Sequence, residues 1–131
     1  MIGTPSILLY LNPRHNKNLE LKSMVETVVL KENITIVKNT DQLIRVLRQP
    51  LNGIIAAIIH AGSAEELMSL TLFKDLLIRI PLILVLPDQE KETITKGHAL
   101  RPRYITYSDS NLTDVRDVFK KIVGRANATW H

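Results

Sequence analysis

The 131-residue chain contains no cysteine, which excludes a disulfide scaffold, a thiolate metal site and a cysteine nucleophile together. Glycine and proline are sparse, at 5 and 6 residues, too few for a fibrous or disordered chain. Aromatic residues make up 5%, which leaves little material for stacking on single-stranded nucleic acid. No apolar run approaches the length needed to span a bilayer, and no basic start leads through an apolar stretch to a small-residue cleavage site. The expectation is a cytoplasmic protein with no membrane contact. The formal net charge of +4 comes from lysines and arginines scattered along the chain without a dense basic tract, so a nucleic-acid partner is not expected.

What is present suits one ordinary globular domain over residues 1–131. Hydrophobic residues make up 45% and charged residues 23%, and a chain of this length can bury a core without cross-links or metals. The main signal is an alternation of short apolar runs with helix-like segments. Ile7 to Leu11 is apolar throughout and closes on Asn12-Pro13, as a strand covered on both faces would. From Lys17 to Leu30, Leu21, Met24, Val25 and Val28 fall at helical spacing beside Glu20, Lys22 and Glu26. Ile34 to Val37 predicts a second strand, and Thr40 is placed to cap a helix burying Leu43, Ile44, Val46 and Leu47 until Pro50 stops it.

Gly53 opens the most apolar stretch, Ile54 to Ile59, whose lack of alternation predicts the centre of a parallel sheet. Ser63 and Glu66 have capping-box spacing ahead of one helix with Leu67, Leu70, Phe73, Leu76, Leu77 and Ile80 on its face. Leu82 to Leu86 is the fourth strand. Pro87-Asp88 then turns into a fourth, polar helix from about Gln89 to Lys96, with Gly97 placed to end it. Tyr104 to Tyr107 is the fifth strand, and Asn111 is placed to cap a fifth helix carrying Leu112, Val115, Val118, Phe119, Ile122 and Val123. Gly124 is placed to close that helix, leaving a short tail at 125–131. Five strand–helix pairs with short turns predict a doubly wound α/β sandwich around a five-stranded parallel sheet. Ligands in such folds bind beyond the carboxyl ends of the strands.

Several residues there invite a chemical reading. His60, at the end of the third strand, could be a phosphohistidine, a base or a metal ligand, but no partner for it is visible in sequence and local packing is the preferred reading. Asp88 and Asp109 could converge as a carboxylate pair, yet Pro-Asp and Ser-Asp are turn words explained by the side chain bonding the backbone just ahead. Ala61-Gly62-Ser63 has one glycine where a phosphate-binding loop needs several, so capping by Ser63 is preferred. The basic segment His98 to Arg103 could dock an acidic protein surface or be a solvated loop.

From Ser6 to Gly124, the length, the order of elements, Pro81-Leu-Ile-Leu-Val-Leu86 and Tyr104-Ile-Thr-Tyr107 together resemble a response-regulator receiver domain. This is the flavodoxin-like module that accepts phosphate from a sensor histidine kinase. The resemblance calls for acidic residues after the first strand, where this chain has Leu11-Asn12-Pro13-Arg14, and for an acceptor aspartate where it has His60. It also calls for a hydroxyl at Leu86 and a lysine at Tyr107, while Tyr104 falls on the family's switch aromatic. Asn12, His60, Leu86 and Tyr107 thus mark a vestigial phosphorylation pocket that lacks the groups which stabilise charge in phosphoryl transfer. The resemblance implies a degenerate receiver with no catalytic residue, metal or cofactor, acting through protein contacts. By the same resemblance the partner surface, or a homodimer interface, lies on the fourth helix, fifth strand and fifth helix, with His98, Arg101, Arg103, Tyr104, Arg116 and Lys120. Two other readings stand beside it. One is a small structural subunit of a larger assembly, like the rotary ATPase stalk subunit of similar size; the other is a small-ligand-binding flavodoxin-like protein using the crevice around His60, Asp88 and Asp109.

Overall fold

A computed structural model describes residues 6–11, 18–49 and 53–130, with side chains as far as Arg125. The strands are β1 (Ser6–Leu11), β2 (Ile34–Val37), β3 (Ile54–His60), β4 (Leu82–Leu86) and β5 (Tyr104–Tyr107). All neighbours run parallel in the order β2-β1-β3-β4-β5. The helices are α1 (Asn18–Glu26), α2 (Thr40–Leu47), α3 (Ala64–Thr71), α4 (Lys74–Leu77), α5 (Lys91–His98) and α6 (Thr113–Trp130), with a single 3-10 turn at Lys31–Asn33. The predicted α/β sandwich with a five-stranded parallel sheet is the observed one.

The apolar runs explain the layering. Odd positions of β1, Ile7, Leu9 and Leu11, pack with Leu21, Met24 and Val25 of α1 and with Val115, Phe119, Ile122 and Val123 of α6. Even positions, Leu8 and Tyr10, pack with Leu43 and Leu47 of α2, Leu67 and Leu70 of α3, and Leu77 of α4. A strand covered on both sides needs apolar residues at both parities, and β4 is buried at all five positions. Register makes the carboxyl ends flush: Leu11 pairs His60, His60 pairs Val85, and Leu86 pairs Tyr107.

Helix boundaries depart from the spacing in instructive ways. The first helix ends at Glu26 and not Leu30. There the hydroxyl of Thr27 donates to Met24 O at 2.6 Å, and the backbone tightens to bonds such as Val28 N to Val25 O. The predicted third helix is two pieces, because the Thr71 hydroxyl bonds Met68 O and the turn tightens through Leu72 N to Ser69 O and Phe73 N to Leu70 O. Phe73, at φ −117° and ψ 22°, is the break. The predicted fourth and fifth helices are consequently α5 and α6. Asn39, not Thr40, caps α2, its side chain accepting from Gln42 N at 2.8 Å.

Both glycines assigned as helix stops lie inside helices. Gly97 is buried on α5, and a Cβ there would stand 3.1 Å from Leu86 Cδ2 and 3.2 Å from Leu84 Cδ2. The glycine therefore lets α5 approach β4 closely. Gly124 sits within α6, which runs to Trp130, and a Cβ there would meet nothing within 4 Å. The residue that does leave α5 in a left-handed conformation is Arg101, at φ 52°.

These environments give opposite outcomes for two glycine substitutions. Gly124→Ala should stabilise the fold by about 0.5–1 kcal/mol, the helix-propensity difference. Gly97→Val should destabilise it by about 1–3 kcal/mol through overpacking against Leu84 and Leu86. Urea denaturation of the two variants beside the parent checks both signs.

Candidate functional site

The candidate site is the flush row of strand ends around His60. The ring of His60 is fully buried on the α1/α6 side of the sheet, between Leu11 of β1 and Val85 of β4. A buried imidazole needs a polar partner, and Asn18 at the start of α1 provides one: His60 Nδ1 lies 3.0 Å from Asn18 Oδ1. An amide oxygen only accepts, so Nδ1 carries the proton and donates. The sequence offered no clue to this pairing, since 42 residues separate the two.

The three described pocket positions drawn from the receiver resemblance, His60, Leu86 and Tyr107, divide between the two faces of the sheet. Leu86 and Tyr107 turn into the opposite layer, packing with Leu84, Leu100 and Ile94, whereas His60 faces α1. Asn12 lies outside the described residues. Alternation along parallel strands in register accounts for the division, because Leu86 is one residue past the partner of His60. Neither Leu86 nor His60 is exposed at all. Among the described residues no three of His, Asp and Glu come together as a ligand set.

The remaining candidates resolve into local structure. Asp88 Oδ1 accepts from Glu90 N at 3.0 Å, an Asx turn that delays the start of α5 to Lys91. Asp109 is exposed on the turn after β5, where Ser108 sends both its N–H and its hydroxyl to Leu86 O. In the Gly62-Ser63 loop, Ser63 Oγ accepts from Glu66 N at 3.1 Å and Glu66 Oε1 accepts from Gly62 N at 3.2 Å. Two of the N–H groups an anion would draw on, those of Gly62 and Glu66, are taken by this reciprocal cap.

Glu66 also faces the phenol of Tyr10, a buried residue of β1 that sequence inspection passes over as strand core. Burial raises the Tyr10 pKa above the ordinary 10.0, and the neighbouring Glu66 carboxylate, which accepts from the phenol, adds to the rise; a hydrogen bond from Thr40 partly offsets it. Tyr10 thereby joins the starts of α2 and α3 beneath the strand ends.

The expected partner face divides as well. His98, Arg101 and Arg103 are exposed, and Tyr104 is half-buried. They sit at the amino end of β5, where Arg103 N donates to Leu82 O at 2.7 Å, the end of the sheet opposite His60. Arg116 instead lines a groove of about 440 Å³ between α6 and α1, with Glu20, Ser23, Met24 and Thr27. Lys120, one helical turn further, shares that side of α6. Arg116 and Lys120 are therefore not brought together with Arg101 and Arg103.

No protein-family model and no curated protein matches the chain. Solved structures do. A Burkholderia pseudomallei protein described as related to pilus assembly superposes with a TM-score of 0.67 at 16% identity, covering 95% of this chain and 92% of that one. The signal receiver domain of a modulated diguanylate cyclase from Desulfovibrio desulfuricans superposes with a TM-score of 0.60 at 14% identity, covering 95% and 94%. The fold is thus receiver-like.

The raised Tyr10 pKa sets a pH dependence. Above the ordinary tyrosine value of 10.0 the unfolded chain releases this proton before the folded chain does, so the folded state binds more protons and stability falls as pH rises. Tyr10→Phe should cost about 1 kcal/mol near neutrality through its lost hydrogen bonds. Melting curves should show a shallower loss of stability above pH 10.0 in that variant than in the parent.

Proposed function

We propose that the chain is a receiver-like signalling or adaptor module that does not accept phosphate, catalyses no reaction and acts by contact with another protein. One observation carries the reading: the end of β3, where the receiver resemblance requires a phosphoacceptor carboxylate, holds a fully buried histidine hydrogen-bonded to Asn18. Phosphoryl transfer needs cation ligands and charge-stabilising donors around the acceptor. The positions that should supply them are Leu86 and Tyr107, both packed into the other layer, and the segment after β1 reads Asn-Pro-Arg, without a carboxylate. Likeness to one neighbour described as a signal receiver domain and to another described as related to pilus assembly accords with a contact role in a multi-protein system.

The docking surface in this reading is the basic corner His98, Arg101 and Arg103, and its partner is an acidic protein surface. Arginine at this spot is a choice against stability. The position after α5 takes a left-handed backbone, φ 52°, which glycine adopts freely and other residues adopt at a cost. Pro102 and the bond from Arg103 N to Leu82 O then fix the backbone from which the two exposed arginine side chains depart. Such groups recognise carboxylates in bidentate fashion.

Arg101→Gly should therefore raise stability by up to about 1 kcal/mol while weakening partner capture. In pull-downs from native lysate, a protein retained by the parent should be lost with the Arg101→Glu/Arg103→Glu double variant. Retention should not change when acetyl phosphate and magnesium are added. Capture that depends on acetyl phosphate, or that survives the charge reversal, contradicts the respective part of the reading.

A further inference from the structure

The edge of the sheet beside α1 carries a second feature, unconnected with the basic corner. A pocket of about 270 Å³ opens between α1 and edge strand β2, lined among the described residues by Leu11, Asn18, Lys22, Ile36 and Lys38. Ile36 is 38% exposed in mid-strand, on an edge strand of the sheet. Leu11, by contrast, is almost wholly buried and closes the bottom. The floor is therefore apolar.

The rim is cationic. Lys22 projects from α1 and Lys38 from the residue just past β2, and neither ammonium is ion-paired among the described residues. Lys38 is held in place by its own backbone, whose N–H donates to Gln42 Oε1 at 2.8 Å, so its side chain does not serve the cap of α2. Two cations with no ion pair among the described residues, beside an apolar floor, favour an anion that also has an apolar body, since a hydrated inorganic ion would leave Leu11 and Ile36 uncovered. The volume is slightly below the roughly 300–1,000 Å³ of typical ligand sites, which suits one ring and one charged group. The pocket lies at the carboxyl ends of β1 and β2, at the margin of the sheet and outside the central crevice.

We infer that this pocket binds a small anion with an apolar body, a carboxylate or a phosphate monoester, with its charge between Lys22 and Lys38 and its apolar part on Leu11 and Ile36. The inference does not depend on the docking corner, which lies at the other end of the sheet.

Benzoate and phenyl phosphate, titrated separately into the 15N-labelled full chain, separate the two head groups. At least one should move the amides of Leu11, Lys22, Ile36 and Lys38 saturably, with a dissociation constant of about 1 mM or tighter, and added salt should weaken it. Benzyl alcohol and inorganic phosphate, each supplying half of the recognition, should bind at least about tenfold more weakly. The Lys22→Gln/Lys38→Gln variant, confirmed folded by its unchanged pattern of remaining amides, should lose about tenfold in affinity. No saturable shift up to about 10 mM of either probe, equal binding of inorganic phosphate, or unchanged affinity in the double variant overturns the inference. Arg101→Glu/Arg103→Glu should leave the titration untouched, so failure here and failure of the docking reading are told apart.

Discussion

Burial of β1, β3 and β4 on both faces is the constraint from which the rest of the structure follows. Every residue from Ile7 to Leu11, from Ala56 to His60 and from Leu82 to Leu86 is buried. Such strands demand two helical layers, and right-handed crossovers in the order β2-β1-β3-β4-β5 put α1 and α6 on one side and α2 to α5 on the other. The close approach of α5 to β4 belongs to the same requirement, since Gly97 exists to let Leu84 and Leu86 reach the helix backbone. Polar groups at the centre of this sheet draw on partners from the helix starts: Nδ1 of His60 is met by Asn18, and the Tyr10 phenol by Thr40 and Glu66.

That constraint also shapes the strand ends. In a parallel sheet they form the natural ligand crevice, and here the crevice is occupied by the protein's own side chains. Leu86 and Tyr107 complete one core layer while His60 and Leu11 complete the other. Exposed chemistry is displaced to the margins of the sheet: a basic corner at the amino end of β5 and a two-lysine pocket beside β2.

The fold was legible because its signal is redundant. Five short apolar runs, three of them without alternation, separated by helical spacing, leave little choice of architecture, and Ser63 with Glu66 and Asn111 announce helix starts that the structure contains. Boundaries were less legible where a hydroxyl competes for backbone, as at Thr27 and Thr71, or where glycine serves packing and not termination, as at Gly97. Site geometry was the least legible part. Sequence gives the identity of residues at strand ends but not which layer each faces, so it groups His60 with Leu86 and Tyr107 and misses Asn18. It likewise places Arg116 beside Arg101, although helical phase turns Arg116 toward α1.

The account stands on the strand ends being closed to phosphoryl chemistry, and the intact mass of the chain after incubation with acetyl phosphate and magnesium tests this most directly. The account predicts an unmodified mass over the time in which a functional receiver domain in the same tube becomes phosphorylated. A mass measured promptly under mild conditions that instead showed one added phosphoryl group, dependent on magnesium and removed by hydroxylamine as a carboxyl phosphate would be, would contradict it.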